Sequence, residues 1–283
     1  MPSTATSQIV YGLTNGTAYQ FRVAAVNGIG QGAYSSASAA VTPATGPFEG
    51  ISGMFGWWDS SDTTTLYSNT AGTTLATSGD VLRWNDKSVN GNHAIVPSGW
   101  NGYTKPQVTA SAKNSLTALL FNAYGAGFSL GDKLPLVTTG ATIFAALQRD
   151  TSGGNPTFIG KGEEGSYFGW GITSEYAFWR TYTYAQTSVS SSNAWAVMAI
   201  TIPAGNWPAT SIFLNGSAAT QSLYNQGISA PPSTSANLTI GRNGSSGEGW
   251  RGYIGELVVF NGELTSTQRS SITTYLMTKW AIS

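Results

Sequence analysis

The chain has 283 residues, a formal net charge of zero and only 9 % charged residues, against about 25 % in an average soluble protein. The zero net charge argues against a nucleic-acid binder, which needs a basic face to neutralise phosphates, and against an electrostatic membrane anchor. With no cysteine, disulfides, thiolate metal sites and cysteine nucleophiles are excluded as well.

The N-terminal residues "MPSTATSQIVYG" lack the charged and apolar regions of a signal peptide. No apolar run approaches the 18 or so residues of a membrane span. "TAYQFRVAAV" follows, an alternating run that predicts a strand. "TPATGPFEG" (42–50) carries two prolines and two glycines and marks a linker. The expected division is therefore 1–43, a linker at 44–49, and a body at 50–283.

In the body, "ATIFAALQ", "AWAVMAITI", "TSIFLNG" and "GELVVF" are further short runs of branched and aromatic residues. Asn-Gly dipeptides at Asn15, Asn90, Asn101, Asn215, Asn243 and Asn261 supply residues that accept positive φ in tight turns. Many short strands with frequent turns imply an all-β sandwich. One helix is expected, at the C-terminus. Thr265 and Gln268 form a capping box, and Ile272, Leu276 and Trp280, joined by Tyr275, make one apolar face.

Two families are resembled. "YGLTNGTAYQFRVAAVNGIGQGAYS" is similar to the end of a fibronectin type III domain, with Leu13, Gly16, Thr17 and Tyr19 matching its L-x-x-G-T-x-Y turn. The likeness covers the last three strands of a seven-strand fold. Alone these would leave open edges and an uncovered apolar face at Phe21, Val23 and Ala25, so the missing strands come from a neighbouring chain, or the piece folds in a different way against its own body or a partner, or the chain is a fragment of a longer protein. The expectation is that residues 1–43 contact copies of the chain or other proteins. The body resembles the laminin-G-like, concanavalin A-like jelly roll of bacteriophage virion and bacterial surface proteins. "GWWDSSDTTTL", "DVLRWNDKSVNGNHA", "TSIFLNGSA" and the segment from "LTIGRNG" to the terminal helix carry that likeness. It implies a concanavalin A-like jelly-roll β-sandwich with one C-terminal helix, a fold that hosts lectins, glycosidases and inert scaffolds alike.

Candidate sites follow. Glycoside hydrolysis needs two carboxylates about 5 to 10 Å apart. Glu163 and Glu164 are adjacent, Glu175, Glu248 and Glu256 are isolated, and no Glu-x-Asp or Glu-x-Glu pattern occurs, so the chain is expected not to be an enzyme. His93, the one histidine, has no G-x-S-x-G partner and is expected to be scaffolding at a strand start. Asp59, Asp62 and Asp86, with Asn85 and Asn90, offer the oxygen ligands calcium prefers; the bland alternative is that the aspartates cap backbone amides. No other cofactor is expected. Trp100, Tyr103, Trp179 and Trp207 are the candidate glycan-binding aromatics, Trp179 lying in the aromatic-rich stretch 166–184.

The expected function is a non-enzymatic structural or adhesive protein, a bacteriophage virion component such as a capsid decoration, head fibre or tail-associated subunit. Its partners would be other virion proteins, itself and surface glycans, without nucleic acid or membrane. An accessory carbohydrate-binding module of a secreted or cell-surface bacterial protein is the alternative, and a glycoside hydrolase the third.

Overall fold

Period-two alternation in the body resolves into two facing antiparallel sheets. The computed structural model describes residues 10, 17–42, 47–48, 50–100, 103–122, 125–134, 136–150, 157–161, 168–172, 176–181, 183–188, 193–206, 209–219, 221–224, 237–242 and 249–283, with the side chains of 136–137, 168–188 and 221–224 left aside. The chain divides into two units, Met1–Gly50 and Ile51–Ser283.

In the first unit, Tyr19 and Val41 exchange backbone hydrogen bonds of 2.9 Å, and Ser38 and Ser35 donate to the carbonyls of Phe21 and Val23. The ribbon closes in a hairpin pairing Val26–Asn27 with Gly30–Gln31. The Asn27 carboxamide oxygen accepts from the amides of Ile29 and Gly30, which holds the turn. Leu13 and Gly16 lie outside the described residues.

In the second unit, one sheet runs in the order Ser217–Ala218, Ser211–Leu214, Trp195–Ile202, Ala141–Arg149, Gly252–Asn261, Leu116–Phe121, Gln107–Lys113 and Gly79–Asp80; Met54–Asp59 also pairs with Gly252–Asn261. The other runs from Gln221–Tyr224 through Thr183–Ser188, Tyr176–Thr181, Phe168–Ile172, Thr157–Lys161, Leu238–Ile240, Phe128–Ser129, Ala94–Ile95 and Arg83–Trp84 to Leu66–Tyr67. One residue in two points inward. Ile143, Ala145 and Leu147 meet Met198, Ile200, Leu257 and Val259 in the interior. Trp58, Trp84, Phe121 and Phe128 fill the middle, with Phe121 edge-on to Phe128 at 6.3 Å.

The Asn-Gly turn at Asn215 has φ of 46° and Gly216 of 83°, the positive values a two-residue hairpin of this twist requires. The helix Ser266–Lys279 begins as the sequence predicts, with the Thr265 hydroxyl accepting from the Gln268 amide and the Gln268 side chain accepting from the Thr265 amide. Its face of Ile272 and Leu276 is fully buried, as is Trp280 at its cap, over the outer face of the first sheet's Ala141–Arg149 and Trp195–Ile202 strands. Trp280 lies directly on Gly255, where any Cβ would stand 2.6 Å from the indole.

Candidate functional site

The strand Met54–Asp59 alternates Trp57 and Asp59 outward with Trp58 inward. That puts Asp59 opposite Glu256 in register, under the C-terminal helix. Glu256 is fully buried. Its Oε1 accepts from Trp57 Nε1 at 2.7 Å and Tyr275 OH at 3.0 Å, and its Oε2 from Lys279 Nζ at 2.7 Å and Trp280 Nε1 at 3.0 Å. Lys279 also reaches Asp59 at 2.8 Å. Burial, and then the Asp59 charge, raise the Glu256 pKa above the usual 4.5, with Lys279 pulling against them. Burial, and then Glu256, also push the Tyr275 phenol up.

Lys87 continues the chain of charges. Its Nζ lies 3.0 Å from Asp59 Oδ2 and 2.9 Å from Asp62 Oδ2, and 4.4 Å over the Trp57 ring. Burial lowers the Lys87 pKa, but Asp62 and Asp59 outweigh it and hold it above 10.5. The candidate calcium ligands are thus otherwise engaged. The lysine ammonium stands where a cation shared by Asp59 and Asp62 would sit. The Asp86 carboxylate accepts from the amides of Trp57, Ser88 and Asn92 and from the Ser88 hydroxyl, all within 2.7 to 2.9 Å. Asn90 donates to the Met54 and Phe55 carbonyls, and Asn85 accepts from Arg83 Nε at 2.7 Å. Among the described residues, no group of three acidic or histidine side chains is arranged to hold a metal ion.

His93 belongs to the same loop. Its Nδ1 accepts from the Asp86 amide at 3.2 Å, which leaves the proton on Nε2. Burial and the Arg83 charge lower its pKa against the pull of Asp86. The loop and the strand Met54–Asp59 are laced together, since Asn92 also donates to the Phe55 carbonyl and Trp58 Nε1 to the Asn92 carbonyl.

The candidate aromatics divide. Trp207 lies outside the described residues. Trp179 is on the strand Tyr176–Thr181 in register with Trp170, and its side chain is outside the described set. Trp100 and Tyr103 come together around a residue not anticipated from the sequence. The Arg242 guanidinium lies 3.9 Å from the Trp100 ring and 4.7 Å from the Tyr103 ring, is fully buried, and donates through Nη1 to the Gly125 carbonyl at 3.0 Å. Tyr103 rests on Gly125, whose φ of +92° and missing Cβ allow the approach. A face of Trp100 is therefore given to arginine rather than to solvent. Lys105 ties this cluster by donating to the carbonyls of Trp100, at 2.9 Å, and Tyr103.

Beside it is a cleft of about 580 Å³ that draws residues from the edge strand Gly79–Asp80 of the first sheet and from Ala94–Ile95 of the second. Leu82, Ile95, Val96 and Pro97 give it an apolar floor, and Thr70, Asp80, Ser98 and Lys105 give it polar walls. Apolar surface with a few placed donors and acceptors is the composition of a small-ligand site.

A family model described as the concanavalin A-like lectin/glucanases superfamily matches residues 122–268. Among solved structures, the Trypanosoma rangeli sialidase in complex with sialic acid is similar at a TM-score of 0.52 and 15 % identity, over 81 % of this chain and 33 % of that one. Domain 4 of AbnA, a GH43 extracellular arabinanase from Geobacillus stearothermophilus, in complex with arabinotriose, aligns at a TM-score of 0.49 and 12 % identity, over 78 % of this chain and 98 % of that one. No curated protein matches the sequence.

Proposed function

This chain belongs to the concanavalin A-like lectin/glucanases superfamily, and from that premise we propose that it acts as a non-enzymatic adhesive or structural protein whose jelly roll binds glycans in the cleft beside Trp100 and Tyr103. The superfamily's name covers binders and hydrolases. The observation that carries the choice is the Asp59–Glu256 pair, two carboxylates facing each other across neighbouring strands, the kind of pair that glycoside hydrolysis uses, here with the Lys279 ammonium between them. Glu256 is fully buried and accepts four hydrogen bonds from side chains of this chain, so the pair supports a scaffold rather than a substrate site. The cleft supports binding. Its apolar floor suits the C–H face of a sugar, and Asp80, Ser98, Thr70 and Lys105 suit its hydroxyls.

The setting we propose is repeated display on a bacteriophage particle, as a capsid decoration, head fibre or tail-associated subunit. The neutral, sparsely charged composition suits dense packing of copies, and avidity then multiplies a weak site. The Tyr19–Val41 ribbon would be the closing part of a fibronectin type III fold. Its exposed Val23, Val26 and Ile29 would dock against a neighbouring copy or another virion protein. An accessory carbohydrate-binding module of a secreted bacterial protein is the competing setting.

The test is a glycan array with the unmodified chain and with Ser98→Trp, which places an indole at the exposed rim of the cleft. Binding lost in the variant, with an unchanged unfolding midpoint, is expected. Array binding that survives the variant moves the site elsewhere, and turnover of any polysaccharide replaces the reading with a hydrolase. Recovery of the chain in stoichiometric amounts from purified particles separates the virion setting from the secreted one.

A further inference from the structure

The outer face of the first sheet carries a row of side chains that runs from the end of the C-terminal helix to the sheet edge. Register places Trp195 beside Gln148, Gln148 beside Tyr253, Tyr253 beside Leu120, Leu120 beside Gln107 and Gln107 beside Asp80. Gln148, Tyr253, Leu120, Gln107 and Asp80 adjoin Leu147, Ile254, Leu119, Val108 and Val81 of the interior, and Trp195 alternates with the inward Met198, Ile200 and Ile202, so each points outward. The first five are half-buried and Asp80 is exposed. With strands about 4.8 Å apart, six strands span about 24 Å. The row ends at Asp80, which also walls the cleft, so row and cleft are continuous.

The row is ordered in a way that suits a ligand. Trp280, at the end of the helix, stacks on Trp195 at 5.3 Å, and Trp195 stacks on Tyr253 at 5.9 Å. The tyrosine ring is thereby held from the Gln148 side, and its neighbour on the other side is the aliphatic Leu120. Beyond it, Asn122 donates to Gln107 at 3.4 Å and Gln107 donates to Asp80 at 3.2 Å. These carboxamides have further donors and acceptors to offer. Pinned rings and aliphatic surface alternate with carboxamides, and the one charge is a carboxylate.

We propose that this row, together with the cleft, is an extended site for a single linear, uncharged polysaccharide chain lying across the strands. The proposal rests on the glycan-binding reading above. Sugar rings offer C–H faces to Tyr253 and Leu120 and hydroxyls to Gln107 and to the carboxamide oxygen of Gln148, whose Nε2 donates to the Asn193 carbonyl at 3.1 Å. The site as a whole carries one carboxylate, Asp80, and one ammonium, Lys105, which is already held by the Trp100 and Tyr103 carbonyls; with no net positive charge to attract uronic or sialic acids, it suits a neutral chain. Rings fixed by stacking lose little freedom on binding.

The experiment is calorimetric titration with a ladder of neutral gluco-oligosaccharides, from disaccharide to octasaccharide. Affinity is expected to rise with length until the row is covered. Tyr253→Ala is expected to weaken octasaccharide binding about tenfold and to leave the disaccharide unchanged, whereas Ser98→Trp removes both. Gln107→Ala, a change on the surface that leaves the stack intact, is expected to act in the same direction as Tyr253→Ala. Equal affinity at every length, or full octasaccharide binding by both row variants while Ser98→Trp has lost it, overturns the extended site and leaves the cleft standing. Loss in the row variants with none in Ser98→Trp overturns the cleft instead. If the unmodified chain binds no member of the ladder, the extended neutral site is overturned, and the array result above judges the glycan reading separately. Dimers in the analytical ultracentrifuge that Tyr253→Ala dissociates would assign the row to a second copy of the chain and overturn the proposal.

Discussion

Asp59 and Glu256 stand opposite one another on neighbouring antiparallel strands, and the Lys279 ammonium lies between them, 2.8 Å from one and 2.7 Å from the other. One lysine at the end of the C-terminal helix thus joins the first strand of the body to its last, under a lid of Trp57, Tyr275 and Trp280.

Glu256→Ala strips four donors of their acceptor and leaves Lys279 with the Asp59 carboxylate and the Tyr275 hydroxyl. Breaking a buried charge pair from one side costs about 3 to 5 kcal/mol. Urea unfolding of the variant is expected to show a loss of that order, and a loss below about 1 kcal/mol would mean that water replaces the carboxylate.

Acid acts on the same network in two directions. Burial raises the Asp59 pKa, but Lys279, Ser61 and Lys87 outweigh it; for Asp62, burial is outweighed by Thr64 and Lys87, and both carboxylates lie below the usual 3.8. Stability from such groups is complete above 3.8 and is lost as pH falls through their folded values. Glu256 is raised above 4.5 by burial and Asp59. Its contribution is present below 4.5 and fades as pH rises through its folded value. Thermal unfolding against pH is expected to fall steeply on the acid side of 3.8, less steeply in Asp62→Asn. Identical acid limbs in the two proteins would remove Asp62 from the account.

Calcium is expected to leave the unfolding midpoint where EDTA leaves it, because Lys87 holds the place between Asp59 and Asp62 and the Asp86 oxygens are engaged by its own loop. A midpoint that climbs with added calcium would show an ion bound to the folded chain.

Arg242→Lys keeps the charge and loses the planar group that lies over Trp100 and Tyr103. Lysine cannot stack in this way, and desolvated cation–ring contacts contribute about 2 kcal/mol. Denaturant unfolding should register a loss near that size, accompanied by a change in tryptophan emission. A variant as stable as the parent would show that the rings, not the guanidinium plane, hold this corner.

Local chemistry was legible in the sequence. Alternation marked the strands, Asn215-Gly216 its hairpin, and Thr265 with Gln268 the helix start, because each depends on residues a few positions apart. The motifs "GWWDSSD" and "WNDKSVNGNHA" carried the likeness to the fold, and they turn out to be one hydrogen-bonded unit. Partners from distant segments were not legible. Glu256 looked isolated because its neighbours in sequence are apolar, while its neighbours in space come from the first strand and the last helix. Trp100 looked like a free platform because Arg242 lies far along the chain.

By itself, then, the sequence determined the all-β class, the turn positions, the capped helix and the lack of thiol chemistry, all of which follow from backbone preference and period over short stretches. Only the tertiary structure decided that the calcium candidates face lysines and amides, that two separate carboxylates form a buried pair, and that six residues from six strands share one row on the outer face of a sheet. Those facts depend on strand order and register, which bring together side chains that no spacing along the chain reveals.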